Sequence, residues 1–378
     1  MKTINKISAF IILLALFTSF VPLYVHANDV SIGHISAEAA CLIEAESGRI
    51  LYSKNGSKRM PMASTTKVMT AIVALESGIP LDTKIKVPKE AVGIEGSSVY
   101  LRQNEVVTFE MLLYALMLSS ANDAAVAIAY VVSGSIDAFV DLMNNKANEL
   151  GLVDTNFTNP HGLYDENHYT TAENLAKIMA FAMNNQDFAT ITSSQSKAFA
   201  REDGTSFVLS NHNRLLKTYD GVIGGKTGFT KKSGRCLVTC AKRNGLKLIA
   251  VTLDAPDDWN DHTKLYDFGF ANYELVYFEA QKIKIHVISG AKSEIAVYSD
   301  ALSVFLPKEH GEISIIFNVP SFVFAQVNKG DKIGEIVYLS QGKIIATSPL
   351  YSLEDVAKIK YKFNLFEWLR DLFKGLLN

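Results

Sequence analysis

A helix that is apolar on every side can lie only inside a protein, and this chain carries one with a serine and a lysine in its first turn. In Met62-Ala63-Ser64-Thr65-Thr66-Lys67-Val68-Met69-Thr70-Ala71-Ile72-Val73-Ala74-Leu75 the run after Ser64 is apolar and alanine-rich over about three turns. Whatever the fold, it must be built around this segment. Residues three apart share a helix face, so the Lys67 amine reaches the Ser64 hydroxyl. A serine is a weak nucleophile until a neighbouring base takes its proton. Free lysine, with a pKa near ~10.4, stays protonated at neutral pH and acts as a base only where burial or a second cation lowers that value. A lysine on a buried helix meets the first condition. The spacing alone decides nothing, because Ser-x-x-Lys also occurs at Ser194/Lys197, Ser289/Lys292 and Ser340/Lys343. Only the Ser64 match has an apolar helix running on behind it.

The rest of the chain shows two textures. Residues 39–52 read as a hairpin turning at Glu46-Ser47-Gly48. Helical periodicity covers 109–118, 122–132 and 136–147, interrupted at Ser119-Ser120. Residues 151–169 form a loop rich in Asn, Gly, His and Pro, and helix returns over 171–183. Strands follow at 225–230, 235–241 and 246–253, then a helix over 259–273. Strands at both ends with helices between them predict one α/β (α+β) unit over 28–278. After Glu279 come only short β-rich runs, at 282–287, 294–298, 302–306, 312–317, 323–327 and 333–339, separated by turn groups such as Lys329-Gly330-Asp331. These predict a small all-β module over 279–355, with no catalytic constellation in it.

Both ends of the chain are expected to address a membrane. Lys2 and Lys6 precede an apolar run over 9–17, and Val25-His26-Ala27 fits the small-x-small cleavage rule, so residues 1–27 are expected to be a signal peptide. The protein is then expected to work outside the cytoplasm. On a helical wheel Asn364, Glu367, Arg370, Asp371, Lys374, Gly375 and Asn378 occupy one arc of roughly 140°. Leu365, Phe366, Trp368, Leu369, Leu372, Phe373, Leu376 and Leu377 fill the remainder, so residues 356–378 are expected to include an amphipathic helix lying in a membrane interface. Cys41, Cys236 and Cys240 make no disulfide framework, since 236 and 240 lie about 13 Å apart along a strand. Without Cys/His clustering at ligand spacing, no metal is expected. Lys+Arg 37 against Asp+Glu 39, with no basic run and no phosphate-cradling glycine loop, argues against a nucleic-acid partner.

Two further pieces give the Ser64 motif its meaning: Ser120-Ala121-Asn122 between apolar helices, and Lys226-Thr227-Gly228 opening a strand. Ser-x-x-Lys, Ser-x-Asn and Lys-Thr-Gly in this order resemble the penicillin-recognising serine enzymes. The stretches 116–125, Asn159-Pro160-His161-Gly162-Leu163 and 220–230 resemble the low-molecular-weight penicillin-binding proteins, the serine-type D-alanyl-D-alanine carboxypeptidases. Ile223 departs from the pattern, where an Asp is more usual. The β module and amphipathic tail resemble the same family. That likeness implies a β-lactamase-like catalytic domain with an antiparallel sheet and a helical cluster, and no cofactor.

It also implies roles. Ser64 would attack the carbonyl between the terminal D-alanines of a peptidoglycan stem peptide, and Lys67 would take its proton. Backbone N–H groups of Ser64 and Phe229 would form the oxyanion hole. Ser120, next to Lys67, would relay a proton to the departing D-alanine. Asn122 would hold a substrate amide, and Lys226 and Thr227 the free carboxylate, with Lys226 also lowering the Lys67 pKa. Gly228 would let the substrate lie along the strand as an added edge. β-Lactam antibiotics would be covalent inhibitors, and the site would face the outer side of the bacterial cytoplasmic membrane. A β-lactamase shares the acylation parts but needs a further carboxylate to activate water, and a peptidoglycan transpeptidase or endopeptidase uses the same residues. A penicillin-binding sensor without turnover would show a damaged motif or an extra signalling domain, and the sequence shows neither.

Overall fold

The computed structural model describes residues 32–201 and 203–359, with Phe366, Leu369 and Arg370. The expected leader and most of the expected tail helix lie outside the described residues. The first strands, β1 (Ala39–Glu44) and β2 (Ile50–Lys54), form the hairpin read from the sequence. Ser64 then sits in a 3-10 turn, Ala63–Thr66, that runs straight into α1 (Lys67–Glu76). Two short strands, β3 (Lys84–Lys86) and β4 (Val106–Thr108), pair and bracket a loop over 87–105. Five helices follow: α2 (Phe109–Leu118), α3 (Asn122–Ser133), α4 (Ile136–Glu149), α5 (Ala172–Ala182) and α6 (Gln186–Ser193). The hairpin β5 (Ser196–Ala200) and β6 (Ser206–Ser210) and the single turn α7 (Leu215–Thr218) lead to β7 (Val222–Thr230), β8 (Gly234–Arg243) and β9 (Leu246–Leu253). Helix α8 (Asp258–Asn272) closes this part.

The main sheet runs β2-β1-β9-β8-β7, antiparallel throughout. Pairing of β1 with β9, Leu42 opposite Ala250, joins the two ends of the unit. Helix α5 packs on one face of this sheet and α8 on the other. Strand β1 is therefore buried at all six positions and shows no polar alternation. Helices α1 and α2 are buried almost all round, whereas α4 buries only Phe139, Met143 and Ala147, one residue per turn. Side-chain caps fix where the helices begin: Thr108 accepts from the Met111 N–H, Ser135 from Ala138, Thr171 from Asn174 and Asn185 from Phe188. Gly134, at φ 78, ends α3 in the left-handed conformation.

The C-terminal strands are β10 (Tyr273–Phe278), β11 (Gln281–Ile288), β12 (Glu294–Ser299), β13 (Leu302–Pro307), β14 (Ile313–Asn318), β15 (Phe322–Phe324), β16 (Lys332–Ser340) and β17 (Lys343–Ser352). Six of them form a sheet in the order β14-β16-β17-β12-β11-β15, and β10 pairs with β13. Strand β10, ahead of residue 279, is thus hydrogen-bonded into this part. Strand β17 is not legible in the sequence, because Pro349 breaks its pattern. The proline is accommodated because β12 meets β17 only at Ser352 and Tyr351. At Pro349 only the β16 side is paired, through Glu335.

Candidate active site

Lys67 is the centre of the site and is fully buried. Its Nζ donates to Asn122 Oδ1 at 2.7 Å and to the His161 carbonyl at 2.6 Å, and lies 2.8 Å from Ser64 Oγ. Burial pushes its pKa well below the usual lysine value, and the positive charge of Lys226 pushes it the same way. Two of the three partners can only accept, so in the neutral amine they take both N–H bonds and leave the lone pair for Ser64. The Asn122 carboxamide cannot be reversed, because its Nδ2 donates to the Glu95 carbonyl at 2.6 Å.

Each partner is fixed by local backbone chemistry. The His161 carbonyl is presented by a loop latched to the Ser64 segment at three points. Thr70 Oγ1 donates to the Pro160 carbonyl at 2.6 Å, and His168 Nε2 lies 2.7 Å from Thr66 Oγ1. Gly162 (φ +88) comes so close that a Cβ there would lie 1.9 Å from the Ala63 carbonyl oxygen. Since His168 Nδ1 accepts from the Thr158 N–H, its proton sits on Nε2 and is donated to Thr66. Burial lowers the His168 pKa to about 4 and that of His161 to about 3, so both rings are neutral at pH 7.

On the opposite wall the buried Asp123 carboxylate accepts from Ser98 Oγ and from the Leu101 N–H, and Asn122 N donates to the Ser97 carbonyl. The 97–101 loop is thereby fastened to α3. Ala63 and Ser120 both hold positive φ, 47° and 58°, flanking the cleft. Such non-glycine backbone costs on the order of 1–3 kcal/mol and is kept where surrounding packing over-determines it.

The third wall is β7, the free edge of the main sheet. Lys226 and Gly228 share a face of this strand, and a Cβ on Gly228 would lie 2.9 Å from the Ser64 backbone nitrogen. Only glycine allows that approach. Lys226 is 1 % exposed, its Nζ donates to the Thr227 carbonyl at 2.8 Å, and burial lowers its pKa to about 7. Ser64, Ser120, Thr227, Gly228 and Phe229 line a cleft of about 380 Å³, with Ser97, His212, Arg235, Asp258 and Trp259.

The residues singled out from the sequence therefore converge, with two differences of detail. Ser120 faces the cleft and makes no hydrogen bond to Lys67, and Asn122 occupies that place with both ends of its amide engaged inside the protein. The sequence also leaves four participants unseen: the His161 carbonyl, the His168 latch, the Asp123 clamp and Arg235. Arg235, opposite Phe229 on β8, is held by Asp258 Oδ1 at 2.8 Å and lies over the Trp259 ring at 5.7 Å. Its charge opens into the cleft while that of Lys226 is turned inward. No spacing rule links these positions.

Residues 26–257 match the family described as D-alanyl-D-alanine carboxypeptidase. The chain belongs to that family. Residues 272–358 of this carboxypeptidase match the C-terminal domain of penicillin-binding protein 5. The chain is 34 % identical to D-alanyl-D-alanine carboxypeptidase DacF of Bacillus subtilis, over 85 % of its own length and 86 % of that protein. Penicillin-binding protein 5 from Haemophilus influenzae superposes with a TM-score of 0.70 at 31 % identity, covering 86 % of this chain and 98 % of the other. A serine-to-alanine mutant of the Streptomyces K15 DD-transpeptidase matches at TM-score 0.61 and 33 % identity, covering 63 % of this carboxypeptidase and 99 % of that chain.

Proposed function

We propose that this serine-type D-alanyl-D-alanine carboxypeptidase acts through an acyl-enzyme on Ser64, with neutral Lys67 as the base. The observation that carries the reading is the donor count at Lys67 Nζ: two acceptor-only partners leave its lone pair on the Ser64 hydroxyl. Ser64 Oγ attacks the carbonyl of the penultimate D-alanine as its proton passes to Nζ. The N–H groups of Ser64 and Phe229 stabilise the oxyanion, at the point where β7 meets the 3-10 turn. The proton then reaches the departing D-alanine amine through Ser120 on the cleft wall. Thr227 and the cleft-facing Arg235 take the substrate carboxylate, with Lys226 adding positive charge from beneath. Asn122 orients Lys67. Released D-alanine from a peptide ending in D-Ala-D-Ala tests the activity. Ser64→Ala should abolish both that release and labelling by fluorescent penicillin, and persistent labelling would move the nucleophile elsewhere.

The carboxylates of the 151–173 segment speak against the β-lactamase alternative. Asp154 pairs with Arg59, Asp165 accepts from the Asn167 N–H, Glu173 accepts from Ser53 Oγ, and Glu166 is exposed. The His161–Gly162 backbone lies against the Ser64 turn instead. A penicillin adduct on the Ser64 peptide is expected to last minutes by intact-mass spectrometry, and rapid turnover without adduct would restore the alternative. Residues 356–378 are proposed to hold the enzyme at the outer face of the bacterial cytoplasmic membrane after loss of residues 1–27, within reach of stem peptides. Ending the chain at Tyr361 should leave peptide hydrolysis intact and release the protein from vesicles.

A further inference from the structure

The C-terminal sheet turns apolar side chains outward at both of its edges. On β15 Phe322 is 44 % and Phe324 65 % exposed, with their rings 5.4 Å apart, and on β14 Ile316 and Phe317 are exposed as well. Laid flat, six strands would separate these edges by about 24 Å. Yet only residues 319–321 link β14 to β15, which spans at most about 14 Å. The sheet therefore curls enough to bring the end of β14 within that distance of Phe322, and the exposed side chains of β15 form an apolar rim there. Strand β11 extends the rim, because Ile288 lies opposite Phe324 in the parallel pairing. Val287 is buried toward the domain core, which leaves the alternate residue Ile288 pointing out. Ile359, just before the amphipathic tail sequence, also lies here: its N–H donates to the Ser289 carbonyl, and it is 40 % exposed. Everything beyond is the stretch whose sequence is amphipathic.

Edge strands in water are ordinarily guarded by charge or proline, and this one presents two aromatic rings. Phenylalanine and isoleucine are favoured at the boundary of headgroups and acyl chains. We propose that the rim of Phe322, Phe324, Ile288 and Ile359 is a second membrane contact, entering the lipid interface beside the tail and fixing the attitude of the domain on the bilayer. The proposal rests on the interfacial reading of residues 356–378. Lys284 and Lys292 nearby are paired with Glu294 and Glu354, so the attraction is apolar and depends little on salt.

The full mature chain permits a direct test. Its three cysteines are buried and burial pushes their thiols up to about 12, so a thiol fluorophore will label a single introduced cysteine. Phe324→Cys, labelled with an environment-sensitive dye, should brighten several-fold on phosphatidylglycerol–phosphatidylethanolamine vesicles. The same dye at Val153→Cys, 86 % exposed on the catalytic part, should not respond. An unresponsive 324 label in protein that still co-sediments with the vesicles overturns the rim contact and leaves the tail anchor standing. Failure to co-sediment overturns both. A label already bright without lipid overturns the proposal in favour of the tail as occupant if brightness is lost on ending the chain at Tyr361, or of a second copy if it follows protein concentration. Independently, Phe322→Glu with Phe324→Glu should weaken vesicle binding about tenfold or more at unchanged peptide hydrolysis; unchanged binding overturns the contact.

Discussion

The two halves of the chain differ in what they bury. Among the described residues, the catalytic part encloses Glu44, Lys67, Asp123, Lys226, Asp258 and Asp261 together with His168 and His262, whereas the β part buries no charged residue and, among polar ones, only serines. At the surface the β part concentrates exposed phenylalanine and isoleucine, with Phe317, Phe322, Phe324, Ile315, Ile316 and Ile344 among them, whereas among the described residues of the catalytic part the exposed side chains of these two types are Phe229 and Ile50. Burying an ammonium is strongly unfavourable, which lowers the pKa of Lys67, and the Asn122 and His161 oxygens take two of its N–H bonds. The penalty suits the proposed role, because it lowers the pKa of the lysine toward that of a usable base. Among its described residues the β part buries no such amine, and the apolar side chains named above face outward.

The strongest way to break this comparison is Lys67→Ala. Acylation by peptide and by penicillin should fall by about 10³–10⁴-fold, while the melting temperature stays level or rises because a buried amine has been removed. A large loss of stability would mean that Lys67 is structural. Gly228→Ala should come next. Its Cβ would press on the Ser64 nitrogen, and a shift of that size costs about 10²-fold in acylation rate at unchanged fold; near-normal kinetics would detach β7 from the oxyanion site.

Lys226→Gln sharpens the electrostatic side. Its charge helps to hold the Lys67 pKa down, and the base works only when neutral, so removing the charge should move the acid limb of the kcat/KM profile to higher pH. An unmoved or lowered limb refutes the coupling. Stability should separate the halves as pH falls. His161, His168 and His262 have folded pKa values of about 3, 4 and 3, below their unfolded value, so the unfolded chain binds more protons as the pH drops below 6.5. Each should remove up to about 1.4 kcal/mol per pH unit from the catalytic part between pH 6.5 and 4. Calorimetry showing the β part melting first on acidification would contradict this.

The smallest effect on activity belongs to Ile336→Ala in the β core. It should destabilise that part by about 2–5 kcal/mol and change hydrolysis of a short soluble peptide by less than about twofold. A parallel loss of activity would show that the two parts are energetically joined.

Much of this was legible from residue order, because it depends on local periodicity. Helix α2 and strand β9 stand where the pattern puts them, and the apolar run behind Ser64 is the central helix it had to be. Three short motifs sufficed to name Ser64, Ser120, Thr227 and Gly228 on the cleft wall, and Ser64 and Lys67 are neighbours by helix geometry alone. Helix α6, the β5–β6 hairpin and β17 were not legible: the first two carry weak patterns, and Pro349 argues for a break unless one knows that its outer side is unpaired. The decisive features of the site were decided only in three dimensions. The His161 carbonyl acts through its backbone and leaves no mark in side-chain identity. Arg235 faces the cleft because β8 pairs Arg235 with Phe229 and Asp258 holds the guanidinium. Lys226 turns inward because the strand face it shares with Gly228 lies against the Ser64 turn. A sequence names the groups available for such contacts, but their protonation and direction follow from which other groups the fold brings within hydrogen-bond range and from how much water it removes.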